Sequence, residues 1–176
     1  IAAPPPRGPR TQVDVAARDE GDVGLLPEGA LGGAAEVGLR RGALRFALRG
    51  GALAPARASL PSGSTAELDA LFAGASACGV KVASFAELGV CLGAGAALVR
   101  GRGLAVARAR SEERIVPSLD AAVDARFPAS APIGVRVTVG ARVALARPDF
   151  TIADDGSLHR PALAGAQVLV GPEVRF

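Results

Sequence analysis

The residues best equipped for chemistry in this chain are few and scattered. His159 is the sole histidine and follows the acidic pair Asp154-Asp155 by four residues. A His–Asp arrangement can serve as base and orienter, but no G-x-S-x-G elbow presents a serine to it. Its place beside a tight turn marks His159 as an ordinary surface residue. Cys78 and Cys91 lie thirteen residues apart. That spacing admits one disulfide, yet it reads first as two buried thiols, and with His159 it lacks the close pairing of a zinc site. Gly93-Ala94-Gly95 and Gly101-Arg102-Gly103 each open a G-x-G, but Leu98 and Val106 stand where the third glycine of a dinucleotide cradle belongs. No catalytic residue, metal ligand or cofactor site is therefore expected, and the chain leans away from being an enzyme.

One cluster carries a chemical implication. Arg100, Arg102, Arg108 and Arg110 fall within eleven residues and share strand parity. On a continuous strand they would form a basic stripe able to grip a phosphate backbone. No aromatic residue lies between Phe85 and Phe127 to stack bases. The stripe thus implies RNA or DNA binding through backbone charge alone.

Composition tempers that implication. Twenty basic residues face seventeen acidic ones, and the signs mix along most of the chain. Nineteen of the basic residues are Arg and one is Lys81, while Asn, Tyr, Met and Trp are absent. This is the bias of a GC-rich coding sequence, so residue abundance says little about chemistry. The chain opens on Ile1 without a methionine, which reads as a processed chain, a fragment or a chain whose start lies upstream of the given sequence. No run approaches the roughly 18–20 apolar residues of a spanning helix, so no transmembrane segment is expected.

The elements that would position these residues read as a soluble, β-rich α+β domain. Residues 1–10, with four prolines and two arginines, form an extended arm; residues 11–176 form a single compact domain. Val13 and Val15 suit a short strand that the acidic stretch at Asp19, Glu20 and Asp22 breaks, with loop following to Gly33. Residues 43–49 alternate cleanly: Leu44, Phe46 and Leu48 share one face, expected to be buried, and Arg45, Ala47 and Arg49 share the solvent face. A helix is predicted at about 65–77, opened by a Ser64–Glu67 capping box, with an apolar stripe at Leu68, Leu71, Phe72 and Ala75. A second, short helix is predicted at about 119–126 behind Ser118. Residues 86–96 are punctuated by glycine and not assigned. The region 130–176 is mostly β, with antiparallel strands, a turn at Asp154-Asp155-Gly156 and a last strand ending before Pro172.

Within that region Ile133-Gly134-x-x-Val137-x, Val139-Gly140-x-x-Val143-x and Leu145-Ala146 stand in hexapeptide register. The pattern resembles the repeat of left-handed β-helix proteins, including hexapeptide acyltransferases, and the resemblance implies an acyltransferase-like trimer. It covers at most 133–176 and breaks at Thr151 to Pro161, so the family's catalytic histidine is not carried over to His159. Taken together, the sequence points first to a structural or interaction subunit of a larger assembly, with other protein subunits as partners and the N-terminal arm reaching a neighbour. An RNA-backbone binder and an acyltransferase-like protein are the alternatives.

Overall fold

The computed structural model describes residues 11–59, 65–104, 111–152 and 156–176. Among these residues the regular structure is all β. Ten strands run in chain order: β1 (Thr11–Val23), β2 (Ala30–Arg41), β3 (Leu44–Ser59), β4 (Thr65–Ala83), β5 (Ala86–Leu104), β6 (Ser111–Phe127), β7 (Ile133–Ala144), β8 (Phe150–Ile152), β9 (Gly156–His159) and β10 (Ala164–Arg175). Eight of them close an antiparallel barrel in the order β1-β10-β7-β6-β5-β4-β3-β2, and β8 pairs with β9 as a separate hairpin. The α+β expectation is thereby overturned. The arm proposed at 1–10 lies outside the described residues.

Strand register fixes the barrel's shape. Partners followed from Val13 pass through Leu39, Phe46, Ala77, Leu92, Ala121, Ala141 and Ala166, and return to β1 at Val23. The circuit closes ten residues from its start. With strands about 4.8 Å apart and a rise of about 3.3 Å per residue, this stagger tilts the strands by about 40°. An eight-stranded barrel of that tilt is just wide enough for side chains to fill.

Both predicted helices are strands. Residues 65–77 lie in β4, where Ala66, Leu68, Ala70 and Phe72 point inward and are buried, while Glu67, Asp69 and Leu71 point outward. The same apolar residues fit a period of 3.6 and a period of 2, and pairing with β3 and β5 along nearly the whole strand decides for 2. Ser64, the supposed cap, is outside the described residues. The second helix, 119–126, lies in β6, where Leu119 and Val123 face out and Asp124 and Arg126 face in. The acidic stretch at 19–22 does not break β1, because Glu20 and Asp22 are buried inside the barrel. Residues 86–96 belong to β5.

Pro55 and Pro172 lie within strands rather than at their ends. Pro55 sits where the β3–β4 register shifts between Leu53 and Ala56, and a bulge is where a strand tolerates a residue without an N–H. Pro172 lies within β10, which continues to Arg175. The two-residue turns at Gly42-Ala43 and Ser84-Phe85 join β2 to β3 and β4 to β5. Gly42 and Ser84 open them in the left-handed region, at φ of 62° and 53°. These turns, both ends of the described chain and the 128–132 connection share one end of the barrel. The opposite end carries the longer connections, including 145–163 with its β8–β9 hairpin.

Candidate functional site

The barrel is inverted relative to a water-soluble one. On β3, Arg45 is 2% exposed and lies inside, whereas Leu44, Phe46 and Leu48 are 55%, 56% and 67% exposed. The alternation read from the sequence is present with its two faces exchanged. Asp14, Arg18, Glu36, Glu87, Asp124, Arg126, Arg136 and Glu173 are all buried in the lumen. They neutralise one another. Arg136 is the hub, with its guanidinium pairing Glu87 at 3.1 Å and also holding Asp124 and Glu173. Arg126 reaches Glu173 at 2.6 Å and donates to the Ala131 carbonyl at 2.7 Å. Arg45 binds Asp14 and, at 2.6 Å, Glu36, and Arg18 donates to Glu36 and to the Thr138 hydroxyl at 2.7 and 2.8 Å. Arg40 and Arg175 close the short-turn mouth over Glu87.

A second group fills the lumen toward the long connections, where Arg142 pairs Asp22 at 2.7 Å and Asp120 at 3.1 Å and donates to Gln167 at 2.8 Å. Above it the lumen turns apolar. Leu25, Leu26, Leu68, Phe72, Val99 and Phe150 form a buried plug. His159 sits beside this plug with its Nε2 3.0 Å from the Leu25 carbonyl and its ring 6.5 Å from that of Phe150. It ties the β8–β9 hairpin to the 24–29 turn, and its ring's only hydrogen-bond partner among the described residues is that carbonyl. Between the two ionic groups remains a cavity of about 50 Å³ lined by Arg18, Glu36, Arg49, Asp120 and Asp124, among others. That is room for roughly three or four waters, which can serve polar atoms that lack a protein partner, such as Arg18 Nε and Asp124 Oδ1. Cys78 and Cys91 also line this cavity, as directly opposed residues of β4 and β5. They are buried, as expected, but joined in a disulfide, a bond that persists in oxidising compartments.

The outside surface is an apolar belt. Between the outward-facing Asp69 and Lys81, β4 presents Leu71, Ala73, Ala75, Ala77 and Gly79. At a 40° tilt the twelve residue steps from Asp69 to Lys81 span roughly 30 Å of height, close to the ~25 Å band of a transmembrane barrel. Exposed Val13, Leu39, Leu92, Val123, Val139 and Val168 continue the belt around the barrel. Phe85 and Phe127, in contact at 5.8 Å, mark its short-turn rim. Beyond the other rim, β3 to β6 rise as a wall carrying cross-strand charges. Arg57, Glu67 and Arg102 stand in one row, and Asp69, Arg100 and Glu113 in the next.

That wall is where the sequence-derived cluster falls. Arg100 lies 3.2 Å from Glu113 and Arg102 is opposite Glu67, so both sit in an alternating-sign lattice. Arg108 and Arg110 lie outside the described residues. The buried arginines at 45, 126, 136 and 142 were missed as a set. Their signal was present as acids and arginines recurring at one parity through long alternating segments.

Asp19 is the exception in the belt. It is exposed, faces outward between Gly33 and Val170, and lies about midway up the barrel. Among the described residues it makes no ion pair. If lipid surrounds the belt, Asp19→Leu is expected to raise the unfolding free energy in a bilayer by about 1–2 kcal/mol. Urea titration in vesicles measures this; in a water-facing wall the change would be near zero.

No family model matches the chain, and no curated protein matches it. Solved structures do. A major outer membrane protein from Thermus thermophilus superposes with a TM-score of 0.71 at 13% identity, covering 94% of this chain and 99% of that one. Neisserial surface protein A gives 0.61 at 14% identity, over 97% and 100%. Ail, the attachment invasion locus protein of Yersinia pestis, gives 0.57 at 11%, over 97% and 100%. The fold is that of outer membrane β-barrels. These matches overturn three readings at once. The hexapeptide-like segment 133–145 is barrel strand β7 with its continuation and forms no β-helix coil, so the acyltransferase reading falls. The nucleic-acid reading and that of an α+β subunit within a larger assembly fall with the fold. The expectation of no transmembrane segment rested on helix length, and strands cross a bilayer in 9–11 residues.

Proposed function

We propose that the chain is an integral β-barrel of a bacterial outer membrane, with a closed lumen and a charged wall standing above the lipid. The observation that carries this is the inversion itself. Ionised side chains are buried inside, and a continuous apolar belt about one bilayer core in height lies outside. A closed barrel satisfies every spanning backbone group and leaves no edge, which is the condition for strands in lipid. The luminal disulfide suits a compartment outside the cytoplasm.

Transmembrane barrels of this kind carry short periplasmic turns and longer outer loops. On that rule the Gly42 and Ser84 turns face the periplasm, and the β3–β6 wall faces outward. Among the described residues the ionic network and the apolar plug fill the lumen with buried side chains, which favours an anchor and presenting surface over a diffusion pore.

Dilution of urea-unfolded chain into phosphatidylcholine vesicles tests the reading. The expected product is vesicle-bound, resistant to protease along the strands, faster on unheated than on heated gels, and silent in planar-bilayer conductance. A monomer that folds and stays in free buffer would contradict it.

A further inference from the structure

The belt is not uniformly convex. Near its short-turn rim, a hollow of about 500 Å³ opens on the outside of the barrel, lined by Gly79, Lys81, Leu88, Val90, Val123 and Val139, among others. Its origin lies in the register. Gly79, Val90, Val123 and Val139 are successive partners across β4 to β7, and Lys81, Leu88, Ala125 and Val137 form the adjacent row. Gly79 and Ala125 keep the floor low while valines and Leu88 make the walls. A Cβ built on Gly79 would meet nothing within 4 Å, so the space there is open. The volume falls within the ~300–1,000 Å³ of sites that hold a small ligand.

Lys81 gives the hollow a direction. It is the only lysine in the chain. It stands one outward position beyond Gly79, about 7 Å along the strand toward the rim. The ion pairs at this end of the barrel lie in the lumen around Glu87, and among the described residues none includes Lys81. An apolar trough in the belt, with an ammonium at its aqueous end, matches a molecule that is apolar for its length and anionic at its head.

We infer that this hollow seats an acyl chain of an anionic phospholipid, with the headgroup phosphate on Lys81. The inference rests on the belt facing lipid. The rim that holds Lys81 is the one on the side of the short turns, so the lipid belongs to the leaflet on that side. A lysine near an anionic headgroup contributes about 1 kcal/mol, which converts to about a fivefold preference over a zwitterionic lipid.

The test uses the full chain reconstituted in bilayers of equal phosphatidylglycerol and phosphatidylcholine. It is then extracted in mild detergent, and the retained lipid is identified by mass spectrometry. The wild-type chain is expected to retain phosphatidylglycerol about fivefold over phosphatidylcholine. Lys81→Gln should abolish the preference, and Gly79→Leu, which fills the hollow, should abolish retention of either lipid. Gel mobility before and after heating reports folding of each variant, and Lys81→Gln decides alone if Gly79→Leu does not insert. Wild-type chain that inserts but retains no lipid or shows no preference would overturn the inference and leave the barrel reading standing. Variants that retain lipid as wild type does would overturn it equally. A wild-type chain that fails to insert at all would remove both.

Discussion

Replacing Arg136 with alanine is expected to lower the unfolding free energy of the barrel by about 3–5 kcal/mol, the cost of breaking a buried ion pair by deleting one partner. Arg136 is fully buried and faces Glu87, Asp124 and Glu173 at once. Without it, three carboxylates share the lumen with fewer cations. Arg126, Arg40 and Arg175 still reach Glu173 and Glu87, but among the described residues Asp124 keeps no ion pair. Arg114→Ala is the matched control. Arg114 pairs with Glu112 at an exposed position near the loop end, and exposed pairs contribute about 0–1 kcal/mol. Urea titration of both variants in vesicles measures the difference. Equal effects would mean that the luminal network is hydrated and contributes no more than a surface pair.

The second large effect concerns the outer face. Leu92 is 69% exposed, points outward from β5 and lies near mid-height, four outward positions below Arg100. Leu92→Arg is expected to destabilise the barrel in a bilayer by about 2–4 kcal/mol, the cost of an arginine at the midplane of a lipid-facing strand. Ile133→Arg places the same charge at the first residue of β7, on the short-turn rim, where the expected cost is about 0–1 kcal/mol. Depth alone separates the two, since both positions are exposed hydrophobics on strands. In a water-facing barrel neither substitution would cost more than a few tenths, and Leu92→Arg would improve solubility. The contrast therefore separates lipid from water as the solvent of this surface.

The alternation that builds these faces is legible in the sequence at residues 43–49 and 133–139, while Asp154 and Asp155 of the expected turn between β8 and β9 lie outside the described residues. What misled was the assumption that water lies outside. The sequence reads Arg45 and Arg49 as a solvent face because an arginine on a strand usually prefers water. Here the lumen supplies Asp14, Glu36 and Gln167 in its place. Leu68, Leu71, Phe72 and Ala75 suggest a helix at 65–77 because their spacing satisfies both periods. Nothing local could reveal that Cys78 would lie opposite Cys91, because only the β4–β5 register brings them together. The luminal site was equally hidden. Glu87, Asp124, Arg136 and Glu173 come from four different strands, and each alone reads as an ordinary charged residue.

The most direct test of the account is the environment of a spin label on the belt. Val168 faces outward on β10 near mid-height, and Arg102 faces outward on β5 above the charged rim. A nitroxide on Val168→Cys and another on Arg102→Cys, in vesicle-reconstituted chain, are compared for relaxation by oxygen and by a water-soluble nickel complex. Oxygen is expected to dominate at 168 and nickel at 102, as befits acyl chains at one site and water at the other. Nickel dominating at both sites would place the belt in water and contradict the membrane-spanning reading.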